Sequence, residues 1–329
     1  MIKQKGLVIH PEEMSNYWAK RFFSTSLNLL GLHPAGGITG GKTVDEAIEW
    51  LKAPESDRLL KLFADRGIDI EYEMHALSWL LPRDMFFGQP EWFRMDENKN
   101  RTNDYHFCHS NPQALEFISE RAKKAAEIFS PTTKRHHFWL DDTADCSCHC
   151  PKCEEQKKEG FTTSDVAMTV YNAIIDGIRA HDPNAKQCYL AYSSVYAAPK
   201  KVLPKPGIFL EYAPMARDLD RSLCDPESET NQKTAGYIDE LLKTFSTEDA
   251  KVLDYWLDNS WNSGWKKPVK KLKYYPEVQK ADIEFYSKKG FETITTFACS
   301  LGEEYYELYG EHADIGSYAA LFEQQNKKQ

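Results

Sequence analysis

The sequence predicts an α/β protein, and within that class a single closed (β/α)8 TIM barrel spanning residues 1–329. Short apolar strand candidates alternate with amphipathic helices along the chain. There are eight such strands, the number a barrel of this kind needs. No glycine-rich fingerprint follows the first strand, where a doubly wound open sheet would more often carry one.

In order, strands are expected at 6–10, 27–33, 68–75, 136–142, 188–193, 207–212, 252–258 and 291–297. Between the third and fourth, Asn111-Pro112 opens a helix with a capping side chain followed by proline at the first helical position. Leu115, Ile118, Ala122, Ala125 and Ile128 share one face of it. After the fourth strand comes a cysteine-rich loop, about 143–160. The next helix runs from about Ser164 to His181, with Val166, Val170, Ile174 and Ile178 four apart, and stops before Asp182-Pro183 because proline disfavours helix in the residue preceding it. Further helices are expected over 231–245 and 276–289, and a last one over 313–322 that closes the barrel.

Composition narrows the function. With 41% hydrophobic and 13% aromatic residues the chain can bury a large core, and 41 basic against 50 acidic residues give a net charge of -9. No Lys/Arg stripe is interleaved with aromatics, so a nucleic-acid partner is not expected. No run is long enough for a membrane span, and the first residues lack a signal-peptide pattern, so the sequence as given reads as cytoplasmic.

In a barrel of this kind the carboxyl ends of all strands meet at one mouth, so residues far apart in sequence can be read together. Here they are His10, His33, Glu73, His75, Asp141, Asp142, Glu211, Tyr212, Asp254, Trp256 and Asp258. Strand alternation places Glu73 with His75, and Trp256 with Asp254 and Asp258, on common faces. Carboxylates at several strand ends suit glycosidic cleavage, which needs one acid for the leaving oxygen and a second group at the oxocarbenium centre. Trp79, Trp256, Trp261 and Trp265 offer faces for sugar rings.

The blocks Glu71 to Asp84, Gln89 to Met95 and Phe107 to Pro112, with Cys148, Cys150 and Cys153, resemble the uncharacterised-domain family numbered 4838. Ala191-Tyr192, Glu211 to Pro214 and Arg217 look like its later blocks. Part of that family is assigned to glycoside hydrolase family 163, endo-β-N-acetylglucosaminidases acting on N-glycans. The resemblance implies a barrel hydrolase acting on a β-linked glycan that contains N-acetylhexosamine. The chain is also similar to hexosaminidase barrels, which carry an adjacent Asp-Glu pair at the fourth strand. That likeness implies Asp142 as general acid and Asp141 as the group that polarises a substrate acetamido, giving substrate-assisted retention. Because Asp is one methylene shorter than Glu, Glu211 or an aspartate on the seventh strand is an alternative acid. Substrate contacts are then expected from His10, His33, Glu73, His75, Trp79, Tyr212, Arg217, Trp256, Asp258 and Trp261. The alternative from another class is a non-catalytic glycan-binding barrel, since fold does not imply chemistry.

The cysteines allow three readings: structural zinc, disulfides or free thiols. Cys150 and Cys153 have chelating spacing, and the family-like blocks make Cys108, Cys148, Cys150 and Cys153 the preferred zinc quartet, with Cys146 spare. No cofactor is expected for catalysis. Gly36 to Thr43 fits the phosphate-loop pattern, which would make the chain a nucleotide hydrolase. Asp45-Glu46 at the start of the receiving helix opposes that reading, since two carboxylates there repel a phosphate.

Overall fold

The computed structural model describes residues 2–36, 40–143, 147–310 and 315–326. Eight parallel strands close into one barrel in sequence order. They are β1 (Gln4–Ile9), β2 (Leu29–Leu32), β3 (Asp69–His75), β4 (Arg135–Trp139), β5 (Lys186–Ala191), β6 (Ile208–Tyr212), β7 (Lys251–Asp254) and β8 (Thr293–Phe297). All eight expected strands are present. The fourth and seventh end three and four residues earlier than expected, so Asp141, Asp142 and Asp258 lie on loops and strand alternation does not govern them. Among the described residues no helix is long and apolar enough to cross a membrane.

The helix Pro112–Ile128 starts as expected: the Asn111 side-chain oxygen accepts the backbone N–H groups of Gln113 (3.0 Å) and Ala114 (3.1 Å). Its buried face is set by Ala114, Ile118, Ala122, Ala125 and Ala126, while Ile128 is exposed. The helix Thr163–Arg179 packs beside it and approaches closely at Gly177. A Cβ on Gly177 would lie 1.9 Å from the Ser119 carbonyl oxygen. Gly177→Ala should therefore push the helices apart and lower the stability by about 1–3 kcal/mol, which a urea titration would read directly; an unchanged midpoint would contradict this packing. The expected helix over 231–245 is two helices, Glu229–Ala235 and Ile238–Phe245, interrupted at Gly236. The last helix is Ile315–Asn326, and residues 313 and 314 lie outside the described residues.

The barrel's seams are unequal. β8–β1 and β5–β6 each pair over five positions, but β4–β5 and β6–β7 over only two. Where β4 and β5 part, the buried Gln187 side chain donates to the Phe138 carbonyl (3.1 Å), replacing a ladder bond.

The interior is ionic. Glu71 accepts from Arg135 (2.7 Å), and Lys251 Nζ lies 2.6, 3.1 and 3.2 Å from Glu73, Glu71 and Glu211. His137 lies between Glu211 (2.8 Å) and Glu71 (3.1 Å). Burial alone would lower the His137 pKa, but the two carboxylates outweigh it and hold it at about 9. Burial raises Glu73 to about 7 despite Lys251.

Candidate active site

Above this ionic layer the mouth holds a cavity of about 300 Å³. His10, His33 and His75 stand at the ends of β1, β2 and β3, and each Nδ1 faces a carbonyl beside the next strand end: His33 O (2.8 Å), Glu73 O (2.8 Å) and Leu140 O (2.6 Å). A carbonyl only accepts, so each Nδ1 carries a proton. All three rings line the cavity. Burial, followed by the neighbouring His10 and His75, depresses the His33 pKa well below the ordinary value and keeps that ring neutral.

Trp139 closes the floor. Its ring packs 5.3 Å from His33 and 5.1 Å from His75, and its indole N–H donates to Glu211 (2.8 Å). The two carboxylates on the cavity wall are Asp142 and Asp258. Asp142 accepts the Tyr192 hydroxyl (3.0 Å), whose own pKa is pushed upward by burial and by the Asp142 charge, so it remains a donor. Asp258 caps the short helix Asn259–Ser263: its Oδ1 accepts Ser260 N (3.0 Å), Ser260 Oγ (2.6 Å) and Trp261 N (3.3 Å). All three bonds go to one oxygen, and Asp258 lines the cavity. Burial raises the Asp258 pKa against the pull of those donors. A second cavity, about 370 Å³, shares Tyr255 and Asp258 with the first and is walled by Trp261.

The structure thus brings together His10, His33, His75, Asp142 and Asp258, with Trp261 next door. Other expected residues are placed elsewhere. Asp141 is turned away from this cavity: one oxygen accepts Ser78 N (3.0 Å) and Oγ (2.6 Å), and the other accepts His106 N (2.7 Å), so it ties the loops after β3 and β4. Glu211 and Glu73 lie below the floor, fully buried in the ionic layer. Asp254, Trp256 and Tyr212 face outward to the helices, because they sit on the other face of β6 and β7 or its continuation. Arg217 is buried there too, bridging Asp254 (3.0 Å) and Asp282 (2.7 Å); Trp256 also borders the second cavity. Trp79 bonds Asp45 (2.8 Å) under the Arg121 guanidinium, beside a separate shallow cavity.

Sequence reasoning did not name Trp139, Tyr192 or Tyr255 as site residues, although Trp139 and Tyr255 are the next inward positions after His137 and along from Lys251 and Leu253. In the glycine-rich loop, residues 37–39 lie outside the described residues, and Lys42 pairs with Glu46 (3.4 Å) on the surface. The sulfurs of Cys108, Cys148, Cys150 and Cys153 gather beside the Asp141 tie. Cys146 lies outside the described residues. His137, Cys188 and Glu211 form a second close group, but His137 and Glu211 already bond one another.

A family model described as "Domain of unknown function (DUF4838)" matches residues 50–255. No curated protein matches the sequence. Among solved structures, the chain is similar to the β-galactosidase from the psychrophilic Marinomonas ef1 (12% identity, TM-score 0.55), covering 99% of this chain and 59% of the galactosidase. It is also similar to a structure of the tandem GH20 catalytic modules of the pneumococcal exo-β-D-N-acetylglucosaminidase StrH (12%, TM-score 0.51), covering 97% of this chain and 84% of that one. A third is the Bacteroides ovatus GH5 xyloglucanase with a bound heptasaccharide (11%, TM-score 0.50), covering 95% and 68%. At these identities the likeness is one of fold.

Proposed function

The chain belongs to the DUF4838 family of domains of unknown function, and from that premise we propose that it is a glycoside hydrolase acting on a β-linked glycan that contains N-acetylhexosamine. The observation that carries this is the place of Asp258. It is a carboxyl group with a raised pKa at the boundary between two cavities, with a second carboxylate, Asp142, on the wall of one of them. A glycosidic oxygen joining sugars in the two cavities would meet the Asp258 carboxyl. A carboxyl whose pKa burial raises is suited to donating a proton to a leaving group.

The acid role accordingly moves from Asp142 to Asp258. Asp142, fixed by Tyr192, then faces the developing positive charge and takes the acetamido-polarising part first given to Asp141. Leu190, Met215 and Leu253 supply an apolar recess for an acetamido methyl, and the imidazoles of His10, His33 and His75 hydrogen-bond sugar hydroxyls. Trp265, 68% exposed at the rim, offers a stacking face for a further sugar. The resemblance to the part of the family assigned to glycoside hydrolase family 163 makes N-glycans the first substrates to try.

The test is hydrolysis of aryl N-acetyl-β-glucosaminides, chito-oligosaccharides and intact N-glycans by the purified protein, with the product anomer followed by NMR. Release of a β-anomer supports retention at this site. Calorimetric binding of glycan without any cleavage would replace the enzyme with a glycan-binding barrel.

A further inference from the structure

We propose that Cys108, Cys148, Cys150 and Cys153 hold one zinc ion, which fastens the loop after β3 to the loop after β4. The four sulfurs lie within 4.8 Å of one another, and all four residues are buried. Cys108 Sγ is 3.6 Å from Cys150 Sγ and 3.8 Å from Cys153 Sγ. Zinc bonds to thiolate at about 2.3 Å, so the corners of a tetrahedral site stand about 3.8 Å apart. A disulfide needs sulfurs about 2.05 Å apart. The two edges from Cys108 to Cys150 and Cys153 thus have the length of a coordination-shell edge and are too long for disulfides, and the remaining edges stay within 4.8 Å.

Two further features favour thiolates there. Hydrogen-bond donors point at the sulfurs: Met95 N (3.3 Å) and the Arg101 guanidinium (3.7 Å) at Cys148, with the Ser110 hydroxyl 3.4 Å from Cys108 Sγ. Four thiolates around a divalent ion leave a double negative charge, which Arg101 and these donors offset. The packing around the sulfurs is also unlike a hydrophobic core, because among the described residues the other apolar side chain against this cluster is the partly buried Met95. Four buried thiols without an ion would gain little from meeting in that way.

The chain geometry explains why the ion has a use. Cys108 comes from the long loop between β3 and the helix Pro112–Ile128, whereas the other three come from the loop after β4 and the first turn of the helix Pro151–Lys158. Asp141 ties the same two loops through Ser78 and His106. Asp142 is its immediate neighbour, so the ion and Asp141 brace the wall that carries it. The metal takes no part in bond breaking, and the assignment stands whether or not the chain cleaves glycans.

The test begins with the untagged wild-type protein purified without chelator. Mass spectrometry of the metal content is expected to find one zinc per chain, and refolding with cobalt(II) should give the intense thiolate charge-transfer absorption and visible bands of a tetrahedral sulfur site. Chelator added in mild denaturant should release the zinc and expose four additional titratable thiols together. Cys153→Ser should lose the ion, while Cys224→Ser, an exposed cysteine outside the cluster, should keep it. If Cys153→Ser does not fold, the wild-type metal count and the cobalt spectrum decide. Zinc-free protein with four freely titrating thiols, a mass two daltons low for each disulfide formed, or iron in place of zinc would each overturn the proposal.

Discussion

Lys251→Met is expected to be the most damaging single substitution in the chain, removing about 3–5 kcal/mol of a total that for ordinary domains is about 5–15 kcal/mol. Inside the barrel Arg135, His137 and Lys251 face Glu71, Glu73 and Glu211, three cations against three carboxylates, all shielded from water. Methionine has a similar length, so the loss is electrostatic: one buried negative charge is left without a partner. Adding Glu73→Gln should restore the balance and recover much of the loss, because Glu73 is the carboxyl closest to Lys251 and is already pushed up to about 7 by burial. Urea midpoints of the two single variants and the double variant form the cycle that measures this coupling. A double variant no more stable than Lys251→Met would show that charge balance is not what Lys251 supplies.

The same layer sets a pH trend. His137 has a folded pKa of about 9 against an ordinary 6.5, so its contribution is fully present below about 6.5 and is lost as pH rises through 9. Glu73, raised to about 7, acts in the same direction between its ordinary value and 7. Wild-type stability should therefore decline on the alkaline side, and more of that decline should come from the barrel interior than from its surface pairs.

The second large effect concerns catalysis. Asp258→Asn should lower kcat on natural glycans by about 10²–10⁴-fold, the usual worth of a general acid. An activated aryl leaving group departs without a proton, so on such substrates the same variant should retain most of its kcat/KM, which reads the first step alone. Asp142→Asn should be slow on both classes, because the centre it stabilises is common to them. The alkaline limb of the wild-type pH–rate profile on natural glycans should belong to Asp258, with activity falling as that group deprotonates, and should be missing from the residual activity of Asp258→Asn on the same glycans. Equal losses on both substrate classes for Asp258→Asn would remove it from the acid role.

Much of the architecture was legible because the signals were local. Apolar runs of strand length, the Asn111-Pro112 cap and the Asp182-Pro183 stop act through nearby backbone, and each has its counterpart in the fold. The strand termini were harder to read, because a polar residue after an apolar run does not reveal where pairing ends. That single uncertainty decides whether Asp254 or Asp258 faces the mouth, and whether Asp141 or Asp142 does. The ionic interior was illegible for a different reason. Glu71, Lys251 and Glu211 are ordinary surface residue types, and only closure of the barrel brings residues 71 and 251 into contact.

The uneven lacing of the barrel has a mechanical consequence. From β7 through β8, β1 and β2 to β3, every seam pairs over at least four positions, whereas β4–β5 and β6–β7 are fastened over two. Asp142 follows β4 and Asp258 follows β7, so each carboxylate stands beside a weak seam while the three histidines stand on the firm quadrant. A ligand wedged into the mouth is expected to press the wall apart along those two lines, because the fewest ladder positions resist it there.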